Sequence, residues 1–276
     1  MILFSSAKIN IGLNVLNKRK DGFHNIETCM FPIPLFDIIE LLPSDKFTFK
    51  QTGIKIDSPI KDNLCVRAYH LIKKNYDIEP VYIHLQKNIP MGAGLGGGSS
   101  NAAFVLKGLN SMFDLKISKS ELLEMASFLG SDCPFFIDSI PALCFSRGEL
   151  MESICINLTG FYIKLIYPAI HVSTKLAYAG IKCNEIDKQL KKSILKDKRS
   201  WKNEISNSFE KNVFLKNPIL SKIKNELYAD GAIYASMSGS GSSIYGLFDK
   251  EPLKSREYPA NVMEFIFSLS TKQNMI

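Results

Sequence analysis

Gly92, Gly94, Gly96, Gly97 and Gly98 fall within seven residues, inside the segment Pro90-Met91-Gly92-Ala93-Gly94-Leu95-Gly96-Gly97-Gly98-Ser99-Ser100. So dense a run is costly in the interior of a helix or a strand, because each glycine raises the entropy lost on ordering the chain. It has to be a loop whose backbone adopts positive φ or lets a partner come close. Val81–Gln86 alternates apolar and polar residues before it and predicts a strand; Ser99–Met112 carries alanine and leucine at helical spacing after it. A glycine loop that opens a helix offers free N–H groups and a partial positive charge to a phosphate, and Ser99 and Ser100 add hydroxyls. No Gly-Lys-Ser/Thr follows, so this is not a Walker A loop. Gly92, Gly94 and Gly97 satisfy the dinucleotide spacing, with Asp114 downstream. Asp114 falls in the turn after the helix rather than at the end of a second buried strand, which favours a nucleotide-phosphate loop and leaves the dinucleotide alternative open.

Elsewhere strand and helix signals mix, so the fold class is α/β (α+β). Ala7, Ile9, Ile11, Leu13 and Val15 alternate with Lys8, Asn10, Gly12 and Asn14, the pattern of a half-buried strand with Lys8 and Asn10 on its open face. Residues 19–25 read as a turn, and Ile26–Phe31, Ile38–Leu42 and Phe47–Lys50 as strands. Asp62-Asn63 opens a helix that ends near Tyr76, and Ser118 with Glu121 forms a capping box for a helix that stops near Gly130. Ala142–Phe145, Phe161–Tyr167, Ile233–Met237 and Ile244–Phe248 are further strand candidates, and residues 173–229 are mainly helical and lysine-rich. The change in character after residue 156 divides the chain into 1–156 and 157–276.

With 46% hydrophobic and 22% charged residues, the 276-residue chain can bury a core and is not of disordered composition. Its net charge of +7 suits anionic small molecules and nucleic acid alike. Lys188, Lys191, Lys192, Lys196, Lys198 and Lys202 read as a solvated helix face, so no nucleic-acid partner is expected. Cys29, Cys65, Cys133, Cys144, Cys155 and Cys183 show no zinc spacing and are expected as buried, reduced thiols. No leader pattern and no apolar run of membrane-spanning length is found. The expectation is a soluble, cytoplasmic protein, a monomer or homodimer.

Three further segments carry chemistry. Asp132, in Gly130-Ser131-Asp132-Cys133-Pro134, lies in a turn where it either caps the chain or accepts a proton from a hydroxyl. Lys8 beside Asn10 is either a solvated lysine or a cation for a transferring phosphoryl group. Met237 to Ser243, with Gly239, Ser240 and Gly241, is either a plain hairpin loop or a second backbone cradle.

Together these segments resemble the GHMP kinases. Pro90–Ala103 is similar to the family's phosphate loop, Ser5–Asn10 to its N-terminal motif and Ser238–Ser243 to its C-terminal glycine motif, in family order along most of the chain. Gly96-Gly97-Gly98-Ser99-Ser100-Asn101 and Asp21-Gly22-Phe23-His24 resemble most those members that phosphorylate a cytidine-diphosphate sugar alcohol. The resemblance implies a ribosomal-protein-S5-like N-terminal ATP-binding domain, a ferredoxin-like C-terminal domain, and a cleft between them for ATP and substrate. It implies ATP-dependent phosphorylation of the 2-hydroxyl of diphosphocytidyl-methylerythritol, in non-mevalonate isoprenoid precursor synthesis. It implies Lys8 and Asp132 as the catalytic pair. Pro90, Met91, Gly92, Ala93, Gly94, Leu95, Gly96, Gly97, Gly98, Ser99 and Ser100 would bind the ATP phosphates. Asp62, Asn63 and Leu64 would lie near the adenine. Asn10, Phe23, His24, Gly239, Ser240 and Gly241 would face the substrate. Mg²⁺ would arrive with ATP; no second carboxylate ligand for it is identifiable in the sequence.

The chain departs from the family pattern at Phe23, where tyrosine is common, and at Cys133, where a small apolar residue is usual. Stacking survives the first change and a phenol hydroxyl does not. Family members acting on homoserine or mevalonate would explain the glycine loop but not Gly22-Phe23-His24. A nucleotide-binding module without catalysis would leave the pairing of Lys8 with Asp132 unexplained.

Overall fold

A computed structural model of the chain describes residues 1–178, 181, 189–253 and 258–270. They form two compact units, neither of them contiguous in sequence: Met1–Lys8, Pro32–Met91 and Gly96–Ile140 in unit 1, and Ile9–Phe31, Gly92–Leu95 and Pro141–Ile276 in unit 2. The two long N-terminal strands, β1 (Ile2–Lys18) and β2 (His24–Pro43), each contribute to both.

In unit 1, β3 (Thr48–Gly53) precedes α1 (Leu64–Asn75), β4 (Val81–Lys87), α2 (Gly97–Met112), α3 (Lys119–Leu129) and α4 (Phe135–Asp138). β4 is the hub. It runs antiparallel to β2, from Ile38 opposite Gln86 to Pro43 opposite Val81, and parallel to β3, with Thr48 opposite Tyr82. Its alternation is real: Val81, Ile83 and Leu85 are at most 1% exposed, each burial worth about 1.5–3 kcal/mol. α1 and α2 pack on each other. The cap of α1 is Asn63, whose side chain accepts from the Cys65 N–H, and that of α3 is Ser118, which accepts from Glu121.

In unit 2, β5 (Ala142–Ser146) pairs antiparallel with β2, Ile26 opposite Ser146 and Met30 opposite Ala142, and β6 (Leu150–Ser153) pairs with β5. Among the described residues β7 (Tyr162–Tyr167) is followed by the helices α5 (Thr174–Tyr178), α6 (Leu190–Leu195), α7 (Trp201–Glu204), α8 (Glu210–Lys216) and α9 (Pro218–Ala229). β8 (Tyr234–Met237), β9 (Ile244–Phe248) and β10 (Met263–Ser268) complete an antiparallel sheet in the order β10-β7-β9-β8. Leu13, Val15, Phe209, Leu220, Leu227 and Phe248 belong to the core beneath it. Lys164 on β7 is fully buried; its ammonium lies 2.9 Å from Glu264 on β10 and 3.7 Å from Asp230 after α9, and donates to the Leu253 carbonyl.

Several expectations change. β1 is not half-buried: Lys8 and Asn10 are 3% and 2% exposed, because each polar side chain of its supposed open face has a polar partner in its own unit. Ile26–Phe31 and Ile38–Leu42 belong to one strand, β2. Cys155 is exposed, since it lies beyond the end of β6, while Cys29, Cys65, Cys133 and Cys144 are buried as expected. Cys183 and Lys188 lie outside the described residues. Among the described residues no helix is long and apolar enough to cross a membrane.

Candidate active site

Unit 1 brings the catalytic candidates together at the start of α2. Lys8 Nζ lies 3.5 Å from Asp132 Oδ2; the lysine side chain is 4% exposed and the carboxylate 32%. The cation is therefore fixed inside the protein while the carboxylate remains open to a reactant. Gly96, the residue before α2, has φ +70°, and a Cβ there would stand 2.8 Å from Phe136 Cζ and 3.1 Å from Lys8 Cγ. Glycine is thus required twice, by backbone angle and by contact. Its lack of a side chain also leaves α2 without a side-chain cap, unlike α1 and α3. The first-turn N–H groups of Gly97, Gly98 and Ser99 remain available to an anion. Of the two loop hydroxyls, that of Ser100 is turned into the core and accepts from Ser5 Oγ at 2.8 Å. That of Ser99 is hydrogen-bonded to the Cys133 thiol, which burial pushes up to about 12 against the easing effect of that bond.

Beneath the loop lies a polar cluster that the motifs did not reveal. Asp37 on β2 is fully buried and pairs with Lys87 at the end of β4. It also accepts from the N–H groups of Asn88 (2.7 Å) and Ile89 (2.8 Å) and from Asn101 Nδ2 (2.9 Å). Asn101 in turn donates to Ser5. Burial lowers the pKa of Lys87, and the Asp37 carboxylate opposes the shift. The chain entering the glycine loop at Asn88-Ile89 is thereby held through its own backbone. Asp62 is exposed in the turn before α1, and the Asn63 oxygen is committed to the helix cap.

Unit 2 holds the remaining candidates. Ser238 Oγ donates to the Gly94 carbonyl at 2.8 Å, and Ser243 N–H to that of Ala93 at 3.1 Å, so the two glycine segments are laced together. Asn207 donates to the carbonyls of Met237 and Gly239, both at 2.8 Å, and shapes the second loop from behind. Asn10 donates from Nδ2 to Thr28 at 2.9 Å, leaving its carbonyl oxygen towards Gly239, 3.3 Å from where a Cβ would stand. Ser240 Oγ is 3.3 Å from Thr174 Oγ1. Phe23 is 55% exposed, with the Arg147 guanidinium 5.4 Å from its ring centre. His24 stacks on Tyr178, centroids 4.9 Å apart and planes 19° off parallel. Tyr178, Asn207 and Asp37 were not singled out from sequence; their partners are distant in the chain and share no local pattern.

A glycine loop opening an uncapped helix, next to a buried lysine paired with an accessible carboxylate, is the apparatus of a phosphotransferase acting on a hydroxyl. Residues 63–139 match the model of the GHMP kinases N terminal domain and residues 174–262 that of the GHMP kinases C terminal. The chain belongs to the GHMP kinase family. A 4-diphosphocytidyl-2-C-methyl-D-erythritol kinase of Cytophaga hutchinsonii is 46% identical over 98% of this chain and 100% of its own. The enzyme of the same name from Parabacteroides distasonis is 46% identical over 91% and 92%. A crystal structure of 4-(cytidine 5'-diphospho)-2C-methyl-D-erythritol kinase superposes with a TM-score of 0.76 at 30% identity, covering 90% of each chain. The Methanococcus jannaschii mevalonate kinase, at TM-score 0.66 and 16% identity over 90% of each chain, shares the fold.

Proposed function

We propose that the chain transfers the γ-phosphoryl group of ATP to the 2-hydroxyl of 4-diphosphocytidyl-2-C-methyl-D-erythritol, releasing ADP, as a cytoplasmic step of non-mevalonate isoprenoid precursor synthesis. The observation that carries the reading is the Lys8–Asp132 pair, buried on the lysine side and open on the carboxylate side, beside Gly96. Asp132 accepts the hydroxyl proton as the oxygen bonds to the γ-phosphorus and the bond to the leaving ADP oxygen breaks. Lys8 keeps the carboxylate oriented and offsets charge on the transferring group. The first-turn N–H groups of α2 hold the phosphates. Mg²⁺ would enter with the ATP substrate, bridging its phosphate oxygens.

Asp62, Asn63 and Leu64 serve the adenine side. Asn10 and the loop Gly239-Ser240-Gly241 serve the acceptor. Phe23 and His24, with Tyr178 behind the imidazole, form an aromatic group suited to a flat base. The test is a coupled ADP-release assay on the cytidyl substrate, with homoserine and mevalonate as controls. Turnover of the cytidyl substrate alone is expected; phosphorylation of homoserine or mevalonate in its place overturns the substrate assignment. Asp132→Asn should lower turnover roughly 10²-fold or more with little change in ATP binding. Unchanged turnover in that variant removes Asp132 from the mechanism.

A further inference from the structure

α2 carries a single charged side chain, Lys107, and the transfer reading leaves it without a task. Its ammonium donates to the carbonyls of Phe136 (3.1 Å) and Ile137 (3.2 Å) at the end of α4, and lies 3.8 Å from the centre of the Phe104 ring. α4 has only four residues and follows the acidic turn without a break: Cys133 N–H bonds to Gly130 O, Phe136 N–H to Cys133 O and Ile137 N–H to Pro134 O. Residues 130–139 therefore form one run of linked turns. One end carries Asp132. Further on, the Phe136 ring stands against Gly96, as the Lys8 stem also does. So short a helix cannot hold its own carbonyls in place, and a cation at its C-terminal end supplies what its dipole lacks.

We propose that Lys107 is a positioning residue for the Lys8–Asp132 pair: rooted in α2, it grips α4 by its last carbonyls and so fixes the acidic turn relative to the phosphate loop. The ten helical steps from Gly97 to Lys107 make a rigid rod of about 15 Å. The phosphate-holding N–H groups sit at one end and the grip on the acidic segment near the other. The inference rests on Asp132 as the proton acceptor. Burial lowers the Lys107 pKa to about 8, with Asp138 opposing the shift. The charged groups around it are Asp138 at the end of α4 and Lys119 on α3, which pairs with Asp138 at 2.7 Å. Near pH 8 the ammonium becomes a neutral amine, a weaker donor to both carbonyls.

The experiment compares the full-length wild type, Lys107→Met and Lys107→Arg across pH 6.5–9.5 in the ADP-release assay, with amide hydrogen exchange alongside. For Lys107→Met we expect kcat to fall roughly 10- to 100-fold, the cost of misplacing a reacting group by about an ångström. KM for ATP should stay within about twofold. Lys107→Arg should restore most of the rate and abolish an alkaline limb that the wild type shows near pH 8. Exchange at the amides of Cys133, Phe136 and Ile137 should quicken in Lys107→Met while the middle of α2 is unchanged. A Lys107→Met kcat within twofold of wild type overturns the proposal. So does a loss expressed in both KM values with kcat intact. If Lys107→Met does not fold, a wild-type alkaline limb that persists in Lys107→Arg overturns it. A wild type inactive on the cytidyl substrate instead fails the functional reading, and unchanged exchange in residues 133–137 of Lys107→Met then also ends the positioning role.

Discussion

Replacing Gly94 by alanine isolates what lacing the two glycine segments contributes. Gly94 has φ +78°, and a methyl group there would stand 2.0 Å from the Ser238 carbonyl oxygen, where no real Cβ comes within 3.0 Å of backbone. One segment has to give by about an ångström, and neither neighbour is a flexible side-chain end. Left-handed backbone on a non-glycine residue costs about 1–2 kcal/mol. The displaced bonds from Ser238 Oγ to Gly94 O and from Ser243 N–H to Ala93 O are worth about 1 kcal/mol each. Overpacking adds about 1–3 kcal/mol. Together the loss is roughly 4–7 kcal/mol, a large share of the stability of a typical domain. Gly22→Ala is the matched control: φ is +86°, yet nothing lies within 4 Å of its Cβ position, so only the backbone cost of about 1–2 kcal/mol applies. Urea unfolding followed by Trp201, the single tryptophan and a buried one, reads both variants in the same unit. If Gly94→Ala lies within about 1 kcal/mol of Gly22→Ala, the close approach of the Ser238 carbonyl is refuted.

Asp37→Asn leaves Lys87 buried without its counter-charge and should cost about 3–5 kcal/mol by urea unfolding followed by far-ultraviolet circular dichroism, since Trp201 lies in the other unit; a cost below 1 kcal/mol would show the cluster is not holding the loop entrance. Phe23→Ala should raise KM for the cytidyl substrate roughly 5- to 150-fold, with KM for ATP and the melting temperature nearly unmoved because the ring is 55% exposed; a parallel loss for both substrates would end the specificity role. Lys107 also sets a pH dependence of stability. Its folded pKa of about 8 lies below the ordinary 10.5, so between these values the unfolded chain holds more protons and rising pH favours the folded state. Wild type minus Lys107→Met, measured as unfolding free energy from pH 7.5 to 10, should climb across that window, and a flat difference would contradict the burial of the ammonium.

How far the sequence reached depends on the range of the interactions involved. The glycine loop, the Asn63 and Ser118 caps and the alternation of β4 are local, and each could be read from neighbours a few residues apart. The burial of Lys8 was misread because period-2 alternation reports which residues share a face, not whether both faces are covered. β2 reads from sequence as two strands, Ile26–Phe31 and Ile38–Leu42, with Pro32 and Pro34 between them. Its registered ladders run at 26–30 with β5 and 38–43 with β4, so the prolines fall in the interval where neither ladder needs their missing N–H. β10 was missed altogether. Its Glu264 has meaning only as the ion-pair partner of Lys164, a hundred positions earlier, and no composition rule links them. Tyr178 escaped notice for the same reason: its partner His24 is remote in sequence.

The pairing of Lys164 with Glu264 also imposes an order on biosynthesis. β7 emerges from the ribosome about a hundred residues ahead of β10, and Asp230 and Glu264, the carboxylates that flank the buried ammonium, come later still than the strand itself. Until they arrive, β7 has an open edge on the side that β10 will take and a lysine that cannot be desolvated without great cost. The charge then acts as a guard: it keeps the nascent strand hydrated and discourages pairing with strands from other chains. Only the carboxylates arriving later make burial of the ammonium favourable, so this sheet closes only once β10 has been made.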